Sequence, residues 1–174
     1  MEEHSRGLAE LLLEGELGAV TLGLEQGLFS WDELDLPHNT HGSTPLISAC
    51  QMGLTKVMQF LLERGADATL CNHNNQTALH VSPPDLQGEL LAALESRLCH
   101  QGQLSEAAWR GDMSTLQHLL TLTDLVDVNS QNRNGLTPLM LAVRDVDLLE
   151  GLQDIMPWDY HPAEIVKALL ALNA

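Results

Sequence analysis

Thr44-Pro45-Leu46-Ile47-Ser48-Ala49 returns 33 residues on as Thr77-Ala78-Leu79-His80-Val81-Ser82, and again as Thr137-Pro138-Leu139-Met140-Leu141-Ala142. Between the first two copies runs Gly53-Leu54-Thr55-Lys56-Val57-Met58-Gln59-Phe60-Leu61-Leu62-Glu63-Arg64-Gly65-Ala66-Asp67. Self-similarity at a fixed spacing of this size marks a chain built by stacking one supersecondary unit. Thr44 suits the N-cap of a helix whose first position is Pro45, where a missing N–H costs nothing. Leu46 and Ala49 then share one face, with Cys50 beside them, and Gly53 ends the short helix. Val57, Met58, Phe60, Leu61 and Leu62 give a second helix its apolar side, and Gly65 stops it. The polar stretch Asp67–Gln76 is a projecting loop, with Asn74-Asn75 where a tight turn needs positive φ.

T-P-L-x-x-A, then G, then V-x-x-L-L, then G-A-D on a 33-residue period closely resembles the ankyrin repeat. The resemblance implies an all-α solenoid of helix-turn-helix repeats with projecting fingers. It would hold about five units, two of them irregular, because a single unit cannot bury its own face. The motif positions that carry the resemblance are Thr44, Pro45, Leu46, Gly53, Gly65, Thr77, Leu79, His80, Gly111, Thr137, Pro138 and Leu139. The family's histidine makes structural hydrogen bonds near the helix start, and His80 takes that role here by resemblance.

The other copies are looser. Ala9–Gly15 leads through Val20, Leu22 and Leu24 to Gly27, and the Gly15–Gly27 interval of 12 equals Gly53–Gly65. Glu10, Glu14, Glu16 and Glu25 stand among those leucines, the pattern of a solvent-facing terminal cap. In the third copy Pro83-Pro84 must cut the first helix short, and Leu86, Leu90, Leu94 and Leu98 form the stripe of a second. Its finger, Cys99–Leu104, is nearly absent, and Ser105–Asp112 opens a fresh repeat through Leu116, Leu119 and Leu120 to Asp127-Val128-Asn129. Two stacks are therefore expected, residues 1–100 and 101–174, meeting at a weak seam.

The last repeat opens at Thr137 and closes at Ile165–Leu170, with an acidic insertion at 145–162 that carries five acids and no Lys or Arg. Pro157 should end one helix of the insertion and Pro162 start the next. The chain looks uncapped at the C-terminus, since Asn173-Ala174 occupies the register of Gly65-Ala66. The expectation is a fragment or shortened form of a longer chain, which by itself self-associates or frays at its C-terminal repeat.

Composition sets the function classes. Leucine supplies 36 of 174 residues and aromatics 3%, a core that favours packed helices over sheets. Eight Lys plus Arg against 24 Asp plus Glu give −16, with no electrostatic footprint for nucleic acid or for an anionic membrane. Nine acids against Arg6 put −8 of this within residues 1–40, while 41–80 are neutral. Met1-Glu2-Glu3-His4 opens no secretory signal, and three scattered cysteines fit free thiols, so a cytoplasmic or nuclear setting is expected.

No P-loop, G-x-S-x-G, H-E-x-x-H or G-x-G-x-x-G string occurs, so an enzyme and a cofactor are not expected. Cys71-Asn72-His73 and Cys99-His100 carry zinc-type donors without paired ligand spacing, and no metal site is expected. The resemblance implies instead a non-catalytic scaffold or adaptor that grips a protein, and the −16 charge favours a basic segment on that partner. A regulatory or targeting module of a larger chain, and an acidic inhibitor masking a basic surface, are the alternatives. Aromatics ringed by charge are candidate partner contacts: Trp31 with Asp32, Glu33 and Asp35, and Trp158 and Tyr160 with Asp154 and Asp159. Each aromatic could equally fold back to cap a helix end. Asn129 resembles the finger asparagine that asparaginyl hydroxylases modify.

Overall fold

Thr44 and Thr137 each begin a helix through their side chains: Thr44 Oγ1 accepts from the Ile47 N–H at 3.3 Å and Thr137 Oγ1 from the Met140 N–H at 3.4 Å. Pro45 and Pro138 follow at the first helical positions. Where Ala78 replaces the proline, Thr77 and His80 build the helix start instead. The Thr77 N–H donates to His80 Nδ1 at 3.0 Å, and the Thr77 hydroxyl lies 2.8 Å from the same nitrogen.

The computed structural model describes residues 7–96, 103–122 and 127–172. Among them are eleven α-helices, two short 3-10 helices and no strand, an all-helical architecture that fits an ankyrin-repeat solenoid. The chain divides into two compact units, Met1–Leu90 and Leu91–Ala174. The sequence places its seam later, at the missing finger Cys99–Leu104, of which residues 99–102 lie outside the described residues, as do Leu98 and Asn173-Ala174. None of the helices is long and apolar enough to cross a membrane.

The first unit pairs α1 (Leu8–Leu13) with α2 (Leu17–Glu25) and α3 (Pro45–Gln51) with α4 (Thr55–Glu63). The turn of helix α5 (Ala78–Val81) packs on α3, and α6 (Pro84–Ser96) follows. Leu12, Val20, Leu46, Met58, Leu61 and Leu79 are fully buried. Each such leucine contributes about 2 kcal/mol on transfer from water. The double proline limits α5 to four residues, because neither ring can donate the next helical hydrogen bond.

Three fingers share one turn. Asn39 Oδ1 accepts from the N–H groups of His41 and Ser43. Asn72 Oδ1 accepts likewise from Asn74 and Gln76, and Asn132 Oδ1 from Asn134 and Leu136. The third residue after each asparagine (Gly42, Asn75, Gly135) has positive φ, and the fifth is the helix-capping threonine. An asparagine side chain that mimics a backbone turn explains why the tips keep one shape. In the first unit the His73 N–H also donates to the His41 carbonyl at 2.9 Å, joining neighbouring tips.

The second unit holds α7 (Gln103–Arg110), α8 (Met113–Leu122), α9 (Pro138–Arg144), α10 (Val146–Gly151) and α11 (Pro162–Ala171). Leu104, Ala107, Ala108, Leu116, Ala142, Ile165 and Leu169 form its core. Between α9 and α11 the insertion makes α10, a 3-10 helix at Gln153–Ile155, and an irregular run from Met156, bent at Pro157-Trp158, that ends where Pro162 starts α11.

Candidate functional site

Trp31–Asp35 is a 3-10 helix fixed at both ends. Ser30 Oγ accepts from the Asp32 N–H at 3.2 Å, and Glu33 Oε1 accepts from the Ser30 N–H at 3.4 Å, a reciprocal cap. Leu34 is buried beneath it. Asp35 Oδ1 accepts from the Asp67 N–H at 2.8 Å, and Asp67 Oδ1 in turn accepts from the Thr69 N–H and hydroxyl. Asp35 is therefore a tie between successive fingers. Trp31, 51% exposed, and Asp32 point outward from a segment with little freedom to lose on binding. Phe29 behaves differently: a Cβ on Gly23 would stand 2.6 Å from its ring, so Phe29 closes onto α2.

The insertion of the second unit is arranged around Arg110, a buried cation at the end of α7. Its guanidinium donates to the Leu94 carbonyl at 2.8 Å and to Asp112 Oδ2 at 3.1 Å, and lies 3.9 Å from Glu106. The Trp158 ring covers it at 4.3 Å from the centroid, and Trp158 Nε1–H donates to the Arg110 carbonyl at 2.9 Å. Asp112 also caps α8 by accepting from the Thr115 N–H and hydroxyl. A buried guanidinium needs this many partners, since an uncompensated charge in the interior costs several kcal/mol.

Tyr160 stands over Gly111. A Cβ there would fall 2.4 Å from the ring, and the next N–H, that of His161, donates to the Gly111 carbonyl at 2.8 Å. At 9% exposure Tyr160 is buried, and its hydroxyl meets no hydrogen-bond partner among the described residues. Burial first, then the nearby Glu150 and Asp145 carboxylates, push its pKa up to about 12. At the other end of the insertion Asp145 Oδ2 accepts from Trp109 Nε1–H at 2.7 Å and from Arg144 at 2.8 and 3.0 Å.

The aromatic pair Trp158 and Tyr160 therefore differs from the exposed anchors expected of an acidic loop. Both rings are turned onto the α7–α8 corner, and the insertion is an integral part of the second unit. Asp154 and Asp159 remain exposed on it. The residues that do this work, Arg110, Asp112 and the Trp109–Asp145 pair, carry no motif of their own in the sequence. The visible signal was Arg110-Gly111-Asp112 at a repeat opening, where a cation and an acid flank a turn glycine.

The remaining candidates are scattered. Cys50 is buried among apolar side chains, and that burial raises its pKa to about 11 against the Ser82 hydroxyl, which lowers it. The His38 ring bonds the Ser48 hydroxyl, and desolvation lowers its pKa. Among the described residues no group of three or more His, Cys, Asp or Glu is placed to hold a metal ion, and Cys99-His100 lie outside them. Asn129 is exposed, and its N–H donates to Asp127 Oδ1 at 2.9 Å in the geometry of Thr69 on Asp67.

Residues 41–73 match the family model of the ankyrin repeat. A putative E3 ubiquitin-protein ligase of Arabidopsis thaliana, XBAT34, is 28% identical over 120 residues, which cover 67% of this chain and 31% of that protein. The chain thus spans about a third of the length of this curated relative.

Proposed function

We propose that the chain is a non-catalytic scaffold or adaptor for a partner with a basic segment, a reading supported by the match of residues 41–73 to the ankyrin repeat, a protein-interaction module. The observation that carries this reading is the first unit's charge together with a rigid, outward Trp31-Asp32 pair. From Gly7 to Thr55 there are seven acids and no Lys or Arg. Asp154 and Asp159 on the insertion add acidic contacts, held in place by Trp158 and Tyr160. Nucleic acid and anionic membrane surfaces are not partners on this reading, and no cofactor takes part. The three scattered cysteines of the sequence support a place in the reducing cytoplasm or nucleus.

Two stacks, near 1–100 and 101–174, would carry these surfaces, a division supported by the two compact units. Affinity capture at low and high salt, with partners identified by mass spectrometry, tests the proposal. Basic-segment partners recovered at roughly 0.1 M salt and lost toward 1 M support it, as the Debye length falls from about 10 to 3 Å. Salt-insensitive partners without basic segments would overturn it. Trp31→Ala with Asp32→Asn should lose the same partners.

A second reading has one observation in its favour. The relative is much longer and is described as a putative E3 ubiquitin-protein ligase, so this region would serve as the regulatory or targeting module of a larger chain. Ubiquitin transfer to the captured partners in a reconstituted reaction with the longest transcript would separate the two. An acidic inhibitor would instead compete with nucleic acid for its partner.

A further inference from the structure

The first turn of α1 and the segment leaving the 3-10 helix enclose a groove of about 640 Å³ within the first unit. Its apolar lining is Leu8, Ala9 and Leu13 from α1, with Leu36 and Pro37 from the segment that leaves the 3-10 helix. Leu36 is 43% exposed, so this lining is open to a visiting side chain. Two carboxylate residues line it as well, Glu10 from α1 and Glu33 from the 3-10 helix. The described stretch from Gly7 to Thr55 holds no Lys or Arg, and His38 is the basic side chain among the lining residues. Both elements are anchored, α1 against α3 and the 3-10 helix by its reciprocal cap.

A volume of this size lies in the range of pockets that take a few side chains, well below what a folded domain would fill. An apolar lining with two carboxylates matches one aliphatic residue flanked by cations. We propose that this groove is the docking site for a short peptide segment of the partner, carrying a leucine-sized side chain between arginines or lysines. The aliphatic side chain lies on Leu8, Ala9, Leu13 and Leu36, and the flanking cations meet Glu10 and Glu33. This deepens the basic-partner reading and rests on it. The cations give on-rate and salt dependence, and the buried aliphatic side chain gives the register.

Fluorescence anisotropy on the whole chain with three labelled peptides, RRLRR, RRARR and SSLSS (acetylated and amidated), tests the proposal. RRLRR should bind about tenfold more tightly than RRARR, the factor expected for burying a leucine in place of alanine. SSLSS should be weaker than RRLRR by about fivefold or more, the range of two exposed ion pairs. Ala9→Trp fills the groove and should abolish the preference for RRLRR. Leu36→Lys, an exposed change that spares the fold, should do the same by charge. E10Q with E33Q should weaken RRLRR about fivefold and flatten its salt dependence, while E14Q with E16Q stays within about twofold.

Equal binding of RRLRR and RRARR, with both acid pairs costing the same, would overturn the groove and leave the basic-partner reading standing. Tight SSLSS binding lost in Ala9→Trp would keep an apolar groove and overturn the basic occupant. Absence of binding by all three peptides would overturn the proposal outright.

Discussion

Gly111→Ala is a sharp probe of how the insertion is held. Gly111 has φ +65°, a left-handed conformation that costs an L-residue roughly 1–2 kcal/mol. The new Cβ would also lie 2.4 and 2.5 Å from two carbons of the buried Tyr160 ring, which must shift to admit it. Forced repacking of that kind adds about 1–3 kcal/mol, so a loss near 3 kcal/mol is expected. Gly135→Ala in the same unit is the control: φ is +79° and the added Cβ meets nothing within 4 Å, so only the backbone cost applies. Urea unfolding followed by circular dichroism gives both values. Repeating Gly111→Ala in a Tyr160→Ala background should reduce its cost to that of the control, as a double-mutant cycle. The packing account fails if the two alanine variants cost the same, or if the excess survives removal of the ring.

Asp145→Ala strands the Trp109 indole N–H and part of the Arg144 guanidinium in a buried site, and should cost about 3–5 kcal/mol, while Asp145→Asn costs less. Its thermal or urea midpoint checks this. Tyr160 is the single tyrosine, so absorbance at 295 nm should titrate near pH 12 in the folded protein and near 10 once unfolded. Because the folded pKa is the higher, stability from the neutral phenol is full below pH 10 and lost between pH 10 and 12. Tyr160→Phe should lack that alkaline loss, and at pH 7 should be neutral or stabilising by about 1 kcal/mol, since the replaced hydroxyl is buried without a partner among the described residues.

The helices of the repeats were legible because their signals are local. Thr44-Pro45 and Thr137-Pro138 announce a helix start, and Pro83-Pro84 announces a short α5, through bonds made within four residues. The insertion was not legible for the opposite reason. Trp158 reaches Arg110 across 48 residues and Trp109 reaches Asp145 across 36, and an aromatic in an acidic loop reads the same whether it faces water or a buried cation. Asp35 misled in a similar way. It stands in an acidic run that looks solvated, yet one oxygen holds the Asp67 backbone of the next finger. Trp31 and Asp32, whose neighbours Ser30, Glu33 and Leu34 do the anchoring, keep the outward setting that the pattern implied, as do Asp154 and Asp159.

The asparagine turns have a consequence for how this surface can change. At each tip the shape is set by one Asn side chain, a positive-φ residue and a capping threonine, while the residues between differ: Thr40-His41, His73-Asn74 and Arg133-Asn134. Those intervening side chains are exposed, though the His73 ring lies against Gly42 of the neighbouring tip. A substitution at Thr40 or His41 rewrites what the tip offers to a visitor while the asparagine, the positive-φ residue and the threonine keep the frame. The fingers therefore behave as replaceable type in a fixed frame, and new specificity can be acquired one letter at a time.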